Sequence, residues 1–378
     1  MKLMHLSDLH IGIRINEYSM CPDQQYILAQ IIDIANEEQP DAVIIAGDVY
    51  DKAVPSAEAV TLFDRFLTCL AEKGLPVFII SGNHDSPERL SFGTRLMSGS
   101  GIHIAPVFSG EVESVRLADG FGAVRIWLLP FIKPAAVRPF FPDREIATYN
   151  DAVAAVLDSV SLDTAERNVL VCHQFITGAV TSESEQVTAG GIDNVDVSLF
   201  DRFDYVALGH IHRPQRIKRD TVRYCGTPLK YSFSEASQQK SVTFVTLGEK
   251  GEVAVTERPL TPMRDMREIR GSYEELTLRE SYAGTNTDDY VRVILTDEED
   301  IPDAVGKLRT IYPHIMRLDY DNRRTRSSAV IAGAENAEEK SPLTLFGELY
   351  ELQNGCKMTD AQLQLVGKMI DEIWEGEK

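Results

Sequence analysis

Asp8, His10, Asp48, Asn83, His173, His210 and His212 are the residues of this sequence best suited to chemistry, because each follows directly on an apolar run that reads as a strand. The Gly47-Asp48-Val49-Tyr50-Asp51 turn, for instance, comes straight after Ala42 to Ala46. An aspartate at the end of a buried strand is costly unless a cation neutralises it. Two carboxylates, one amide and four imidazoles form a mixed oxygen and nitrogen set that suits Mn, Fe or Zn, and the lack of a thiolate disfavours a structural zinc site. The set exceeds what one ion needs and suffices for two that share a bridge, for which Asp48 is the natural residue. Two ions about 3.5 to 4 Å apart can activate a water and stabilise charge on a phosphoryl oxygen. Taken singly, each residue has a plainer reading: a strand-end histidine is commonly a satisfied polar group, and Asp51 and Asp85 can be caps of the helices that follow. The whole set at successive strand ends points to a two-metal phosphoesterase.

Positioning these groups is the task of the surrounding elements. Leu3 to Leu6 reads as a buried strand, and Asp8 and His10, two apart, face the same side if the extended geometry persists beyond it. Residues 23–38 carry Ile27, Leu28, Ile31, Ile32 and Ala35 at helical spacing, and a second helix is predicted over 56–73. Strands at 42–46 and 77–80 alternate with them, which means an α/β domain with its reactive groups beyond the carboxyl ends of the strands. Residues 101–130 read as short β segments with glycine turns, followed by a helix around 151–158 and strands at 168–172 and 205–208. A Gly- and Ser-rich loop lies at 177–191, a turn at 224–228, and a closing hairpin at 241–247 and 253–257. The pattern breaks at Pro259 to Pro262. Residues 263–326 then read as a small α+β unit of three strands and two helices, 327–341 as a linker of low hydrophobicity, and 342–378 as two helical segments. The apolar stripes of that tail (Leu345, Phe346, Leu349, Leu352; Leu363, Leu365, Val366, Met369, Ile370, Ile373, Trp374) need a surface to dock on.

A chain of 378 residues exceeds one ordinary core, so two or three domains are expected. Its net charge of -20 repels nucleic acid and membrane surfaces at long range, so any nucleic acid partner requires local positive charge. Arg213, Arg216, Lys218 and Arg219, close behind His212, form a basic stretch that could track a phosphate backbone; the plainer reading is an exposed polar hairpin. Five scattered cysteines without a CxxC pair argue against a disulfide framework and fit a reduced cytoplasm. Neither a signal-peptide core nor a run of about 18 apolar residues is present, so no membrane association is expected. No GxxxxGK[ST] loop occurs, so any ATP hydrolysis belongs to another polypeptide.

Asp8-x-His10, Gly47-Asp48-x-x-Asp51, Gly82-Asn83-His84-Asp85, His173 and Gly209-His210-x-His212, in this order, resemble the five signatures of the calcineurin-like metallophosphoesterases over residues 1 to about 258. Lys2 to Gly12, Cys172-His173-Gln174-Phe175 and Tyr224 to Pro228 followed by Tyr231-Ser232-Phe233 are similar to one branch, the SbcD family of nuclease subunits. The resemblance implies a β-sandwich flanked by helices (αββα) over 1–262, an α+β capping domain at 263–326, and partner-docking helices at 342–378. It places Asp8, His10, Asp48 and His212 on one divalent ion and Asp48, Asn83, His173 and His210 on the other, most often Mn2+, with Mg2+, Fe2+ or Zn2+ as other occupants. His84 becomes the catalytic histidine that stabilises the phosphodiester or protonates the leaving 3'-oxygen, with Asp85 as the group that orients it. The implied activity is a 3'-to-5' exonuclease on duplex DNA and an endonuclease on single strands and hairpins, working with an SbcC-type coiled-coil ATPase. The other readings are a phosphatase or small-molecule phosphodiesterase, and a non-catalytic scaffold, against which the intact ligand set counts. Family members form homodimers through the helices after the second and third motifs, here 56–73 and 87–97, where Leu62, Phe63, Phe66, Leu90 and Phe92 offer apolar surface.

Overall fold

The structure, a computed structural model, describes residues 1–185, 193–323, 325, 342–354 and 357–375. It divides into two compact units, Met1–Arg267 and Glu268–Lys378.

In chain order the first unit contains β1 (Lys2–Leu6), the short hairpin β2 (Arg14–Ile15) and β3 (Tyr18–Ser19), α1 (Cys21–Glu38), β4 (Ala42–Ala46), α2 (Ala57–Glu72) and β5 (Val77–Ile80). Two four-residue helices follow, α3 (Pro87–Leu90) and α4 (Thr94–Met97), then β6 (Ile102–Ala105), β7 (Glu113–Asp119), β8 (Gly122–Leu129), α5 (Pro134–Val137), α6 (Tyr149–Ser159), β9 (Arg167–His173) and β10 (Tyr205–Gly209). β11 (Gln215–Ile217), β12 (Arg219–Tyr224), β13 (Ser241–Leu247) and β14 (Val253–Pro259) close it. Residues 87–97, expected as one helix, are split because Gly93 takes a left-handed φ of 75°.

Two sheets of six strands result, ordered β14-β13-β1-β4-β5-β6 and β11-β12-β10-β9-β8-β7. β1, β4, β5 and β6 run parallel, as do β8, β9, β10 and β12. Strands covered on both faces must be apolar throughout, and Ala42 to Ala46 is wholly buried. Alternate residues define three cores. Leu3, Ile44, Phe78, Val169, Val171 and Ala207 fill the space between the sheets. Met4, Leu6, Val43 and Ile45 pack outward on Ile27, Ile31, Phe63 and Phe66 of α1 and α2, and Leu170, Cys172, Val206 and Leu208 on Val153 and Val156 of α6. The expected layering, helix on sheet on sheet on helix, is therefore observed.

One inward-facing residue of β1 is polar. His5 is fully buried, with Nδ1 2.9 Å from the Tyr205 hydroxyl. Burial, over the opposing Leu208 carbonyl, pushes its pKa down to about 3. Because the unfolded chain takes up a proton near pH 6.5 that the folded chain refuses, His5 lowers stability as pH falls from that value toward about 3, by up to about 1.4 kcal/mol per pH unit. His5→Gln is expected to flatten this acid slope by one proton, as read from urea unfolding at a series of pH values; parallel slopes would exclude the role.

β15 (Met266–Gly271), which begins at the end of the first unit and runs into the second, forms a sheet with β16 (Tyr290–Leu295) and β17 (Ile315–Tyr320) in that order. α7 (Tyr273–Thr277), opened by the Ser272/Glu275 capping box, contributes Leu276 to a core with Val291, Val293, Leu295, Tyr312 and Ile315. Tyr282 of α8 (Arg279–Tyr282) packs half-buried against that core, and α9 (Ala304–Leu308) contributes Ala304 and Leu308 to it. The second expected helix is shorter than the predicted 302–311, starting only where Asp303 caps it at a left-handed φ of 51°. Helices at Pro342–Asn354 and Asp360–Glu375 match the predicted tail segments. The linker at 327–341 lies outside the described residues, as does the end of the 177–191 loop. No helix among the described residues is long and apolar enough to cross a membrane.

Candidate metal centre

The parallel strands of both sheets deliver their carboxyl ends to one edge of the first unit. Asp8 and His10 lie beyond β1, Asp48 beyond β4, and Asn83, His84 and Asp85 beyond β5, while His173 ends β9 and His210 and His212 follow β10. The backbone departs sharply from extended geometry there: Asp8, His10, Asp48 and His210 have φ of 51°, 43°, 49° and 100°. Asp8 and His10 thus share a site through two left-handed residues, not through strand alternation. Such conformations cost about 1 to 3 kcal/mol each and persist only where surrounding structure enforces them.

That enforcement is visible. Gln24 of α1 donates through Nε2 to the Leu9 and His10 carbonyls at 3.2 and 2.8 Å, and its Oε1 accepts from Gly12 N–H. The Tyr231 hydroxyl donates to the Leu9 carbonyl at 2.6 Å. The motif glycines make close approach possible: a Cβ on Gly82 would collide with Asp48, and one on Gly209 with the Ala46 carbonyl.

The predicted ligands converge. Asp8, His10 and His212 offer donor atoms within 4.8 Å of one another, as do Asp8, Asp48 and His173. Asp48 Oδ2 lies 3.7 Å from His10 Nε2 and 3.3 Å from His173 Nε2, between the two groups. Asn83 Oδ1 sits 3.0 Å from His173 Nε2 and 2.9 Å from His210 Nδ1. His10 Nε2 and His212 Nε2 are 3.1 Å apart. Asp8, His10, Asp48, His173, His210 and His212 are all buried. His173 Nδ1 donates to the Ala46 carbonyl at 2.8 Å, which directs Nε2 into the site.

The electrostatics are those of a site built for added positive charge. Burial alone would lower the His173 pKa, but Asp48, Asp8 and the Ala46 carbonyl outweigh it and push the ring up to about 9. Burial would likewise raise Asp48, yet the charge of and hydrogen bond to His173 hold it below the usual carboxylate range. Asp8 is pushed up to about 6 by burial, against the pull of His173 and His212. Burial brings His210 down to about 3 and His10 well below its ordinary value, leaving both as neutral lone-pair donors. Buried carboxylates beside neutral imidazoles, with no thiolate among them, fit divalent cations.

His84 stands beside this cluster. Its backbone N–H donates to Asp48 Oδ1 at 2.9 Å, Nδ1 lies 3.0 Å from the Asp51 carbonyl oxygen, and its ring meets that of His10 edge-on at 4.9 Å. Asp85 does not orient this ring as expected. Its carboxylate accepts from Val49, Tyr50 and Gly82 N–H at 3.1, 3.0 and 2.9 Å, so it pins the Asp48 turn to the Asn83 loop. The His84 ring is held instead by the backbone of Asp51, which no side-chain pattern encodes.

The basic stretch is divided in role. Arg213 and Lys218 are exposed, and Arg216 forms an exposed pair with Asp220 at 2.7 Å. Arg219 is turned to the protein, donating to the Phe200 and Phe203 carbonyls at 2.9 Å each. Its guanidinium is therefore a structural tie, unlike the backbone-tracking group expected from its type.

Sequence reasoning missed a shell around His212. Ser184 Oγ lies 2.8 Å from His212 Nδ1 and donates to Glu235 Oε1 at 2.6 Å, while Glu185 accepts from His212 N–H at 2.7 Å. Glu235 in turn pairs with Lys240 at 2.6 Å. These residues come from separate loops, so no spacing could have signalled them.

The family described as calcineurin-like phosphoesterase matches residues 1–214, and one described as type 5 capsule protein repressor C-terminal domain matches residues 262–354. The chain is 36% identical over 386 aligned residues to the SbcD subunit of the SbcCD nuclease of Staphylococcus epidermidis, covering all of both proteins. Among solved structures, a dimetal phosphatase from Danio rerio matches 68% of this chain and 96% of its own at 13% identity and a TM-score of 0.42. The protein TT1561 of Thermus thermophilus matches 68% and 98% at 11% identity and a TM-score of 0.38.

Proposed function

The chain belongs to the calcineurin-like phosphoesterases and, within them, to the SbcD nuclease subunits, and on that premise we propose that it cleaves DNA at a two-metal centre. It is a phosphodiester hydrolase and a nuclease subunit. In our reading the activity is 3'-to-5' exonucleolytic on duplex ends and endonucleolytic on single strands and hairpins. The observation that carries this reading is the convergence of Asp8, His10, Asp48, Asn83, His173, His210 and His212 on one buried edge, with His84 tethered beside them.

Asp8, His10, Asp48 and His212 would hold one divalent cation, and Asp48, Asn83, His173 and His210 the other, with Mn2+ the expected occupant. Such a pair supplies an activated water and stabilises the charge that develops on the phosphoryl oxygens. Because a carbonyl oxygen can only accept, His84 Nδ1 carries a hydrogen toward Asp51, which leaves Nε2 as the nitrogen able to give or take a proton. We assign that nitrogen the proton transfer to the leaving 3'-oxygen. Asp85 contributes by keeping the Asp48 and Asn83 loops in register. Arg213, Lys218 and the weakly paired Arg216 are left to meet the DNA backbone.

The net charge of -20 works against independent DNA binding. A partner that adds basic surface resolves this, and the staphylococcal relative is named as one subunit of SbcCD. We infer that an SbcC-type ATPase docks on the helices at 342–354 and 360–375, that residues 263–326 act as a capping domain, and that the complex works in the cytoplasm on DNA ends and hairpins. The test is cleavage of an end-labelled hairpin and a linear duplex by metal-stripped protein with and without Mn2+ and the ATPase, beside a chromogenic phosphodiester. Hydrolysis of the small ester alone, even with the ATPase present, would favour a small-molecule phosphodiesterase.

Self-association through the region after the third motif is also proposed. Phe63, Phe66 and Leu90, expected at that surface, are instead buried in the α1/α2 core, so substituting them tests folding. Phe92 and Leu96 are each 84% exposed and carry the proposal. The double variant Phe92→Glu/Leu96→Glu is expected to be a folded monomer in light scattering, and an unchanged dimer would remove this surface from consideration.

A further inference from the structure

We propose that Ser184, Glu235 and Lys240 form a buried relay that orients the His212 ring with its hydrogen on Nδ1 and thereby sets the affinity of the metal position made with Asp8 and His10. The inference rests on the two-metal reading above and assigns these residues a positioning role.

Hydrogen-bond direction in the relay has one solution. Lys240, only 4% exposed, can only donate, and it donates to Glu235 Oε2 at 2.6 Å, Gln238 Oε1 at 2.9 Å and the His212 carbonyl at 2.8 Å. Glu235 is fully buried, and its other oxygen accepts from the Ser184 hydroxyl at 2.6 Å. Having spent its proton on Glu235, Ser184 Oγ can only accept from the imidazole nitrogen 2.8 Å away, so His212 Nδ1 carries the hydrogen. His212 Nε2, the nitrogen 3.1 Å from His10 Nε2, is then the one left to face a cation in the site. Glu185 fixes the same residue from the backbone side by accepting His212 N–H at 2.7 Å.

A buried ion pair is weak evidence for stability, because desolvating both charges offsets their attraction. Here the pair is continuous with a ligand histidine on two sides, through Ser184 and through the His212 carbonyl. A carboxylate behind a ligating histidine orients the ring and raises its basicity, and loss of such support costs about 10- to 100-fold in metal affinity. The serine hydroxyl transmits the carboxylate across the 3.7 Å between Glu235 Oε1 and His212 Nδ1.

The test is a Mn2+ titration of the metal-stripped full chain, followed by electron paramagnetic resonance of the free ion, with folding checked by circular dichroism. Ser184→Ala is expected to weaken one of two ions about 10- to 100-fold and leave the other unchanged. Ser184→Thr, which keeps the hydroxyl, should restore it. Glu235→Leu/Lys240→Met, which removes both charges together, should reproduce the selective loss. In a His210→Asn background, where the other position lacks a donor, Ser184→Ala should weaken the ion that remains. A folded Ser184→Ala protein with both parental affinities, or with both weakened equally, would overturn the relay alone. A parent chain that binds no pair of ions would overturn the two-metal reading and the relay with it.

Discussion

His84→Gln is expected to slow DNA cleavage by about 10²- to 10⁴-fold, the usual contribution of a positioned proton donor, while both Mn2+ ions stay bound. The side chain is outside the proposed ligand set, and its link to the proposed bridging residue runs through the backbone, from His84 N–H to Asp48 Oδ1. Glutamine keeps that N–H and can still donate to the Asp51 carbonyl that now faces Nδ1. What it lacks is a ring nitrogen that can give or take a proton. Single-turnover cleavage of an end-labelled duplex, measured beside a Mn2+ titration of the same preparation, separates the two roles. Cleavage within about threefold of the parent would remove His84 from the chemistry. A parallel loss of Mn2+ would instead assign it to steadying the His10 ring, which it meets edge-on at 4.9 Å.

Much of this arrangement was legible because strand-end chemistry leaves a linear trace. The apolar runs before Asp8, Asp48, Asn83, His173 and His210 specify parallel strands, and the polar residue after each is carried to the shared edge by the fold. The glycines of the motifs are explained by close approach between loops, as at Gly82 beside Asp48. Other features leave no such trace. Asp85 has the right type to orient a histidine, yet three backbone donors claim it, and that competition is set by how two loops meet in space. Arg219 looks basic in sequence and is used as a tie to two carbonyls of a preceding loop. Phe66 has the periodicity of an exposed stripe and a buried one alike; only the packing of α2 on its sheet decides that it is core. The shell behind His212 is assembled from two segments, 184–185 and 235–240, both far from His212 in the chain and beyond the reach of any local pattern.

Asp48→Asn is expected to be the more damaging substitution for the centre as a whole. Asp48 Oδ2 is the carboxylate oxygen that approaches both His10 and His173, so its loss strikes both proposed metal positions, whereas His210→Asn removes a donor from one. Asparagine tolerates the left-handed φ of 49° and keeps an oxygen that can accept the His84 N–H, so the loop geometry is preserved and the charge alone is removed. Folding should survive. In the metal-free protein the Asp48 carboxylate helps hold the His173 pKa up against burial, and without it that pKa falls. Positive charge on the ring is thereby disfavoured together with the loss of the negative charge it faced, a paired change that buried sites commonly tolerate. Metal stabilisation of a phosphoryl transition state is worth several kcal/mol, and at about 1.4 kcal/mol per decade the variant should cleave DNA about 10³-fold more slowly or worse. Calorimetric Mn2+ titration should show both ions weakened in Asp48→Asn and one in His210→Asn. Equal stoichiometry and affinity in parent and Asp48→Asn would mean that the two positions do not share this residue, and each would then have to neutralise its charge with its own donors: Asp8 for one, and for the other only Asn83 and two imidazoles, a set with no carboxylate.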